Sequence, residues 1–196
     1  MLEQIFKRQL ELMEKYHDIE ARSGIFNYQD DGTPVNLTTV GGQARIKHLA
    51  WYTVEEIAEA LDGKDKAQQQ EELVDALHFF VELCIASGYN YDFFEPLELM
   101  FGRVKRFHSD IDEGFLAQSV TKFIYALGNA MNRLKNKPWK QTPVPVDIPA
   151  YEGWLTLAMF HFIQIAWAYG IHQPQQLVDL YMGKAKVNQQ RQESGY

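Results

Sequence analysis

Residues 55–80 read EEIAEALDGKDKAQQQEELVDALHFF, and the spacing of their apolar and acidic positions decides the fold. At about 100° per residue, Glu55, Glu56 and Glu59 fall on one arc of a helix, with Ala50, Val54, Ile57 and Leu61 opposite. Beyond the break LDGKDK, Glu72 and Asp75 share a side with Glu82, while Leu73, Ala76, Leu77, Phe80, Val81 and Cys84 form an apolar stripe. Two amphipathic helices joined by so short a turn pack as antiparallel neighbours. That pairing lets Glu56 and Glu59 face Glu72 and Asp75 across the helix pair.

Helical spacing continues outward in both directions, and no alternating Val/Ile-rich run supports a sheet. It places helices at about 2–22, 45–62, 67–87, 91–106, 115–136, 151–169 and 174–190. Gly, Pro, Asn and Asp in DDGTPVNLTTVGG, SGYN, SDIDEG and KNKPWKQTPVPVDIP supply the breaks. The chain also aligns with itself: LHFFVELCIASGYNYDFFEPLELMFGRVK lies over FHFIQIAWAYGIHQPQQLVDLYMGKAK, pairing Gly88 with Gly170 and Gly102 with Gly183. In that register Glu72 corresponds to Trp154 and Asp75 to Leu157, so the second copy keeps the packing face and lacks the acids. The expectation is one all-α domain over 1–196, a pseudo-symmetric helical bundle. Its first half-repeat, about 45–106, carries the acidic site, and its degenerate second half-repeat covers about 115–190.

Composition narrows the function. A 46% hydrophobic fraction is ample for a core, and no apolar run approaches the roughly 18 residues of a membrane span. The mixed charges of MLEQIFKRQLELMEKYHDIEARSG fit neither a signal nor a transit peptide. The single cysteine, Cys84, allows no intrachain disulfide, which fits a reducing, cytoplasmic setting. A net charge of −7 argues against duplex nucleic acid as the main ligand, unless a metal mediates contact with a polyanion.

Four carboxylates meeting in a partly desolvated cleft repel one another and take up protons, unless a hard divalent cation sits between them. Mg²⁺ prefers oxygen ligands, keeps several waters, and commonly bridges carboxylates to substrate phosphates. The competing reading is a solvated face, which is what an isolated ExxE on a helix ordinarily represents. The C-terminus bears on the choice. In YMGKAKVNQQRQESGY, residues 181–196, Lys184, Asn188 and Arg191 recur at spacings of four and three and share one helical face. Lys is a point-charge partner for phosphate, Arg a planar fork and Asn a neutral donor and acceptor. Tyr196, following a glycine, can fold over a site; a basic helix end serving only the macrodipole is the alternative.

These motifs together resemble a known family. EEIAE followed by EELVDALHFF is similar to the ExxE…ExxD signature of the all-α nucleoside triphosphate pyrophosphatases, the superfamily of MazG proteins and dimeric dUTPases. The C-terminus resembles the last motif of the dimeric dUTPase and phage dCTPase branch, YxxKxxxNxxRQxxGY, at every fixed position. The resemblance implies a homodimeric enzyme that cleaves a deoxynucleoside triphosphate to the monophosphate and pyrophosphate. It implies two or more Mg²⁺, which Mn²⁺ can replace, held by Glu56, Glu59, Glu72 and Asp75. Lys184, Asn188, Arg191 and Tyr196 carry over as substrate contacts, and one of Glu56 and Glu59 as the residue that orients or deprotonates the attacking water. His78, one turn beyond Asp75, is either a supporting donor or a core-edge histidine.

Base choice departs from the branch. Where its dUTPases read uracil with Gln and Asn, MEKYHDIEARSG places Glu14 and His17, and Glu14 suits the amino group of cytosine. Only GKDK stands where many dUTPases carry a Trp- and Lys-rich insertion between the acidic motifs, which makes phage members the nearer comparison. The expected substrate is therefore dUTP, dCTP or both. Two alternatives are a broader MazG-like house-cleaning pyrophosphatase and a non-enzymatic helical interaction protein that uses Trp154, Phe160, Phe162 and Trp167 at an interface.

Overall fold

The computed structural model describes residues 1–14, 34–107 and 113–194. Among these there are eight α-helices and no sheet: α1 Leu2–Glu14, α2 Val35–Thr38, α3 Val40–Asp62, α4 Lys66–Ala86, α5 Leu97–Phe107, α6 Glu113–Arg133, α7 Ile148–Ala168 and α8 Pro174–Glu193. A 3₁₀ turn, Tyr91–Phe93, precedes α5. The all-α expectation holds, with local departures that have local causes. Helix α3 starts at Val40, five residues before the expected 45, because the Thr39 side chain accepts from the amide of Gly42 and caps it. The expected helix over 91–106 is split, with Pro96 just ahead of α5. Residues 15–22 of the first expected helix lie outside the described residues.

Helices α3 and α4 form one antiparallel hairpin and α6 and α7 a second. Aspartates cap the first helical turns of α4 and α7: Asp65 accepts from the amide of Gln68 and Asp147 from that of Ala150. Helices α4 and α7 are the innermost elements. Leu73, Val74, Ala76, Leu77, Phe80, Val81, Leu83, Cys84 and Ala86 of α4 are all at most 1% exposed, as are Leu155, Ala158, Met159, Phe162, Ile163, Ile165 and Ala166 of α7. The hairpins interlock through aromatic rings. Phe80 stacks on Phe162 at 6.3 Å, and Phe123 meets both edge-on at 5.8 and 5.9 Å. Phe162 and Trp167, which the interface alternative would expose, are core residues instead, while Trp154 and Phe160 are half-buried.

The glycines that the sequence aligned adopt one geometry. Gly88 (φ 85°) and Gly170 (φ 76°) end α4 and α7 in the left-handed region. Each donates to a carbonyl three residues back (Ile85, Trp167), and the next residue donates to one five back (Cys84, Ala166). Helices α1 and α8 then close over α4. Arg8 ties them by donating to the Ala185 carbonyl at 3.4 Å and to the Gln189 side chain.

Candidate active site

The acids of the α3–α4 hairpin converge. Glu56 and Glu59 lie three residues apart on α3, Glu72 faces them from α4, and one oxygen of each lies within 4.8 Å of the others. Glu56 and Glu72 are half-buried and Glu59 is exposed. Burial, then the charges of Asp75, Glu59 and Glu72, push the Glu56 carboxyl up to about 7, against an opposing pull from Lys184. Burial and then Asp75 raise Glu72 as well.

Asp75, three residues along α4 from Glu72, is not in that close trio, and Lys184 holds its carboxylate at 2.6 Å. The same ammonium reaches Glu71 at 2.7 Å. Burial raises the Asp75 pKa and the Lys184 hydrogen bond works against it, whereas Glu71 is held low mainly by that lysine. Only 9% of the Lys184 side chain is exposed. Burial opposes its charge, but the bonds to Asp75 and Glu71 outweigh burial and raise its pKa. Lys184, expected among the substrate contacts, thus belongs to the acidic cluster itself.

A cavity of about 400 Å³ opens beside the carboxylates. Glu56 and Asp75 line it, with Leu12, Met13 and Phe79 as an apolar wall and Asn188 and Arg191 reaching in from α8. Arg191 also exerts a lowering influence on Glu71 and Asp75. His78 faces the same cavity but is 7% exposed and stacked on Tyr181 at 4.0 Å. Its Nδ1 bonds the Gln9 oxygen at 2.8 Å, which also accepts from the Tyr181 hydroxyl at 2.7 Å. Burial first, then Lys184 and Arg8, lower the His78 pKa to about 3, so the ring is neutral. Its Nε2 is buried without a hydrogen-bond partner. Glu14 is exposed at the end of α1, whereas His17 and Tyr196 lie outside the described residues.

Gln9, Leu12, Met13, Glu71 and Phe79 escaped the motif reading, whereas the sequence already places Glu82 on the acidic side of its helix. Gln9 had a legible signal, since it interrupts the stripe Leu2, Ile5, Phe6, Leu12, Met13 at a core position and is 4% exposed. Glu71 had none, because only the fold brings α8 to it.

An all-oxygen cluster in which crowding and burial raise the Glu56 carboxyl to about 7 suits a hard divalent cation, and the residues present fit Mg²⁺. Fold and site together define an all-α protein that sets a carboxylate cluster against a helix bearing Lys184 and Arg191, beside a cavity of about 400 Å³. A family model described as dUTPase matches residues 59–196. The chain belongs to this all-α dUTPase family, whose enzymes hydrolyse dUTP to dUMP and pyrophosphate and generally use Mg²⁺. The match begins at Glu59, so Glu56 and the whole of α1 lie before it. Among curated proteins and among solved structures, nothing matches the chain. Among the described residues no helix is long and apolar enough to cross a membrane.

Proposed function

We propose that the protein is a Mg²⁺-dependent pyrimidine deoxynucleoside triphosphate pyrophosphatase acting on dUTP, dCTP or both. The convergence of Glu56, Glu59 and Glu72 carries this reading, with Glu56 near neutrality in its pKa and Lys184 beside them. Glu56, Glu59 and Glu72 would hold the cation, and Asp75 would join them where Lys184 turns to a phosphate. When bound, the cation supplies positive charge against the triphosphate and acidity to an attacking water. Lys184 and Arg191 bind phosphate oxygens and take up charge that grows on the leaving pyrophosphate. Glu56, beside Glu59 on α3, orients the water and accepts its proton. Leu12, Met13 and Phe79 keep solvent from the nucleoside, and Asn188 reads a polar edge of it.

The cavity wall favours inclusion of dCTP. Glu82 lines it as an acceptor, already taking hydrogen bonds from Arg45 at 2.9 Å and the Gln9 side chain at 3.3 Å, and an exocyclic amino group would add a further donor to it. The two hairpins are read as copies of one unit of which the first kept its acids, and the active form as a homodimer. The test is pyrophosphate release from dUTP, dCTP, dTTP, dATP and dGTP, with Mg²⁺ and with EDTA. Metal-dependent turnover confined to dUTP and dCTP is expected. Turnover of all five would make the protein a house-cleaning enzyme, and turnover of none would make the carboxylates a solvated face.

A further inference from the structure

In a chain of net charge −7, residues 114–146 contain Lys122, Arg133, Lys135, Lys137 and Lys140 and not one Asp or Glu. Four of these five lie at the end of α6 or in the segment that follows it, and Lys47 joins them from α3 by donating to the Leu134 carbonyl at 2.6 Å. Burial, then Lys137 and Lys135, lower the Lys47 pKa. Among the described residues no carboxylate pairs with Lys47, Lys135, Lys137 or Lys140. The chain has 26 acids, so the lack of counter-charge here reflects placement rather than shortage.

An indole stands in the middle of this cluster. Trp139 is 74% exposed, more than any other large hydrophobic side chain described, and the Lys137 ammonium lies 5.2 Å from its ring centroid. The backbone that presents it is pinned. Asn136 is 7% exposed, its amide donates to Gln43 Oε1 at 2.7 Å, its Nδ2 to the Thr38 carbonyl at 2.8 Å, and its Oδ1 accepts from the Val144 amide at 2.6 Å. Lys47 precedes Glu56 by two and a half turns of α3, so the cluster lies on the far side of that helix, about 13 Å along it. It is a separate surface.

We propose that the segment 133–140, with Lys47, binds single-stranded nucleic acid: the lysines track the phosphates and Trp139 stacks a base. Unneutralised cations beside an open aromatic face are the two elements that non-sequence-specific single-strand binding requires. Duplex is the poorer ligand, because its bases are already stacked. The inference is independent of the triphosphate reading.

The test is fluorescence anisotropy of labelled dT16 and U16 against the full chain in EDTA. Binding should weaken about twentyfold between 50 and 200 mM salt if three phosphates are neutralised. Trp139→Ala should weaken it about tenfold, Trp139→Phe should restore most of the loss, and Lys137→Glu with Lys140→Glu should abolish it. These side chains are exposed, so thermal melting of each variant should match the parent. Undiminished binding by the charge-reversed chain, or equal affinity for duplex, would overturn the proposal. So would polyglutamate binding as tightly as dT16 with Trp139→Ala without effect, which would mark the surface for an acidic protein.

Discussion

At the scale of the residue, Glu56 and His78 make opposite demands on pH. Burial and the neighbouring carboxylates push Glu56 from its ordinary 4.5 up to about 7 in the folded state, so its folded form holds the extra proton. Its contribution to stability is present below about 4.5 and is lost as pH rises through 7. His78 is the reverse. It titrates at about 3 when folded and near 6.5 otherwise, so its contribution is present above 6.5 and is lost as pH falls toward 3. Between 4.5 and 6.5 the two slopes oppose, and the metal-free protein should show a shallow stability profile there. Glu56→Gln removes one opposing slope and leaves those of Glu72 and Asp75, so urea midpoints should rise more with pH across that window than in the parent; an unchanged profile would show that Glu56 is not protonated in the folded state. The same variant should lose turnover by a factor of a hundred or more if Glu56 has the proposed roles of cation ligand and proton acceptor. Lys184→Gln should cost ten- to a hundredfold in kcat/KM, about 1.4–2.8 kcal/mol, and should lower the pKa of no carboxylate. A normal kcat/KM would confine Lys184 to holding α8 on α4.

At the scale of the element, the two helix-ending glycines differ in what surrounds them. A Cβ on Gly170 would meet Lys66 Nζ at 2.1 Å, the far end of a side chain that can swing away. A Cβ on Gly88 would meet Pro34 Cγ at 2.2 Å, part of a ring that cannot. Both positions lie at positive φ, which costs an L-residue roughly 1–2 kcal/mol. Gly170→Ala should therefore cost about that much, and Gly88→Ala at least 1 kcal/mol more from overpacking, as read from thermal midpoints. Equal losses would mean that Pro34 shifts freely. Helix α8 is the element that joins core to chemistry: Leu177, Val178, Tyr181 and Ala185 anchor it, and Lys184, Asn188 and Arg191 turn toward the acids and the cavity. Its spacing of four and three was readable as a shared face. Nothing in that spacing said which face of which helix it would meet.

At the scale of the whole molecule, the proposed cation site would couple folding to the ion. Mg²⁺ at a hundredfold excess over its dissociation constant should stabilise the chain by about 2.7 kcal/mol, seen as a rise in thermal midpoint that EDTA reverses. Glu72→Gln should raise the metal-free midpoint by relieving repulsion and abolish most of the Mg²⁺ response, whereas a scaffold with solvated acids would show neither effect. The helical class, the hairpin of α3 and α4, the approach of Glu56 and Glu59 to Glu72, and the shared face of Lys184, Asn188 and Arg191 were all legible in the sequence. Each rests on the local period of an α-helix or on the shortness of one turn. Tertiary structure alone decided that Lys184 occupies Asp75, that Gln9 joins His78 to Tyr181, that Phe162 and Trp167 lie inside, and that Trp139 stands exposed among lysines. Those partners lie far apart in the chain or depend on which faces are covered. Their meeting follows from how amphipathic faces bury one another, a property of the assembled bundle that no local spacing encodes.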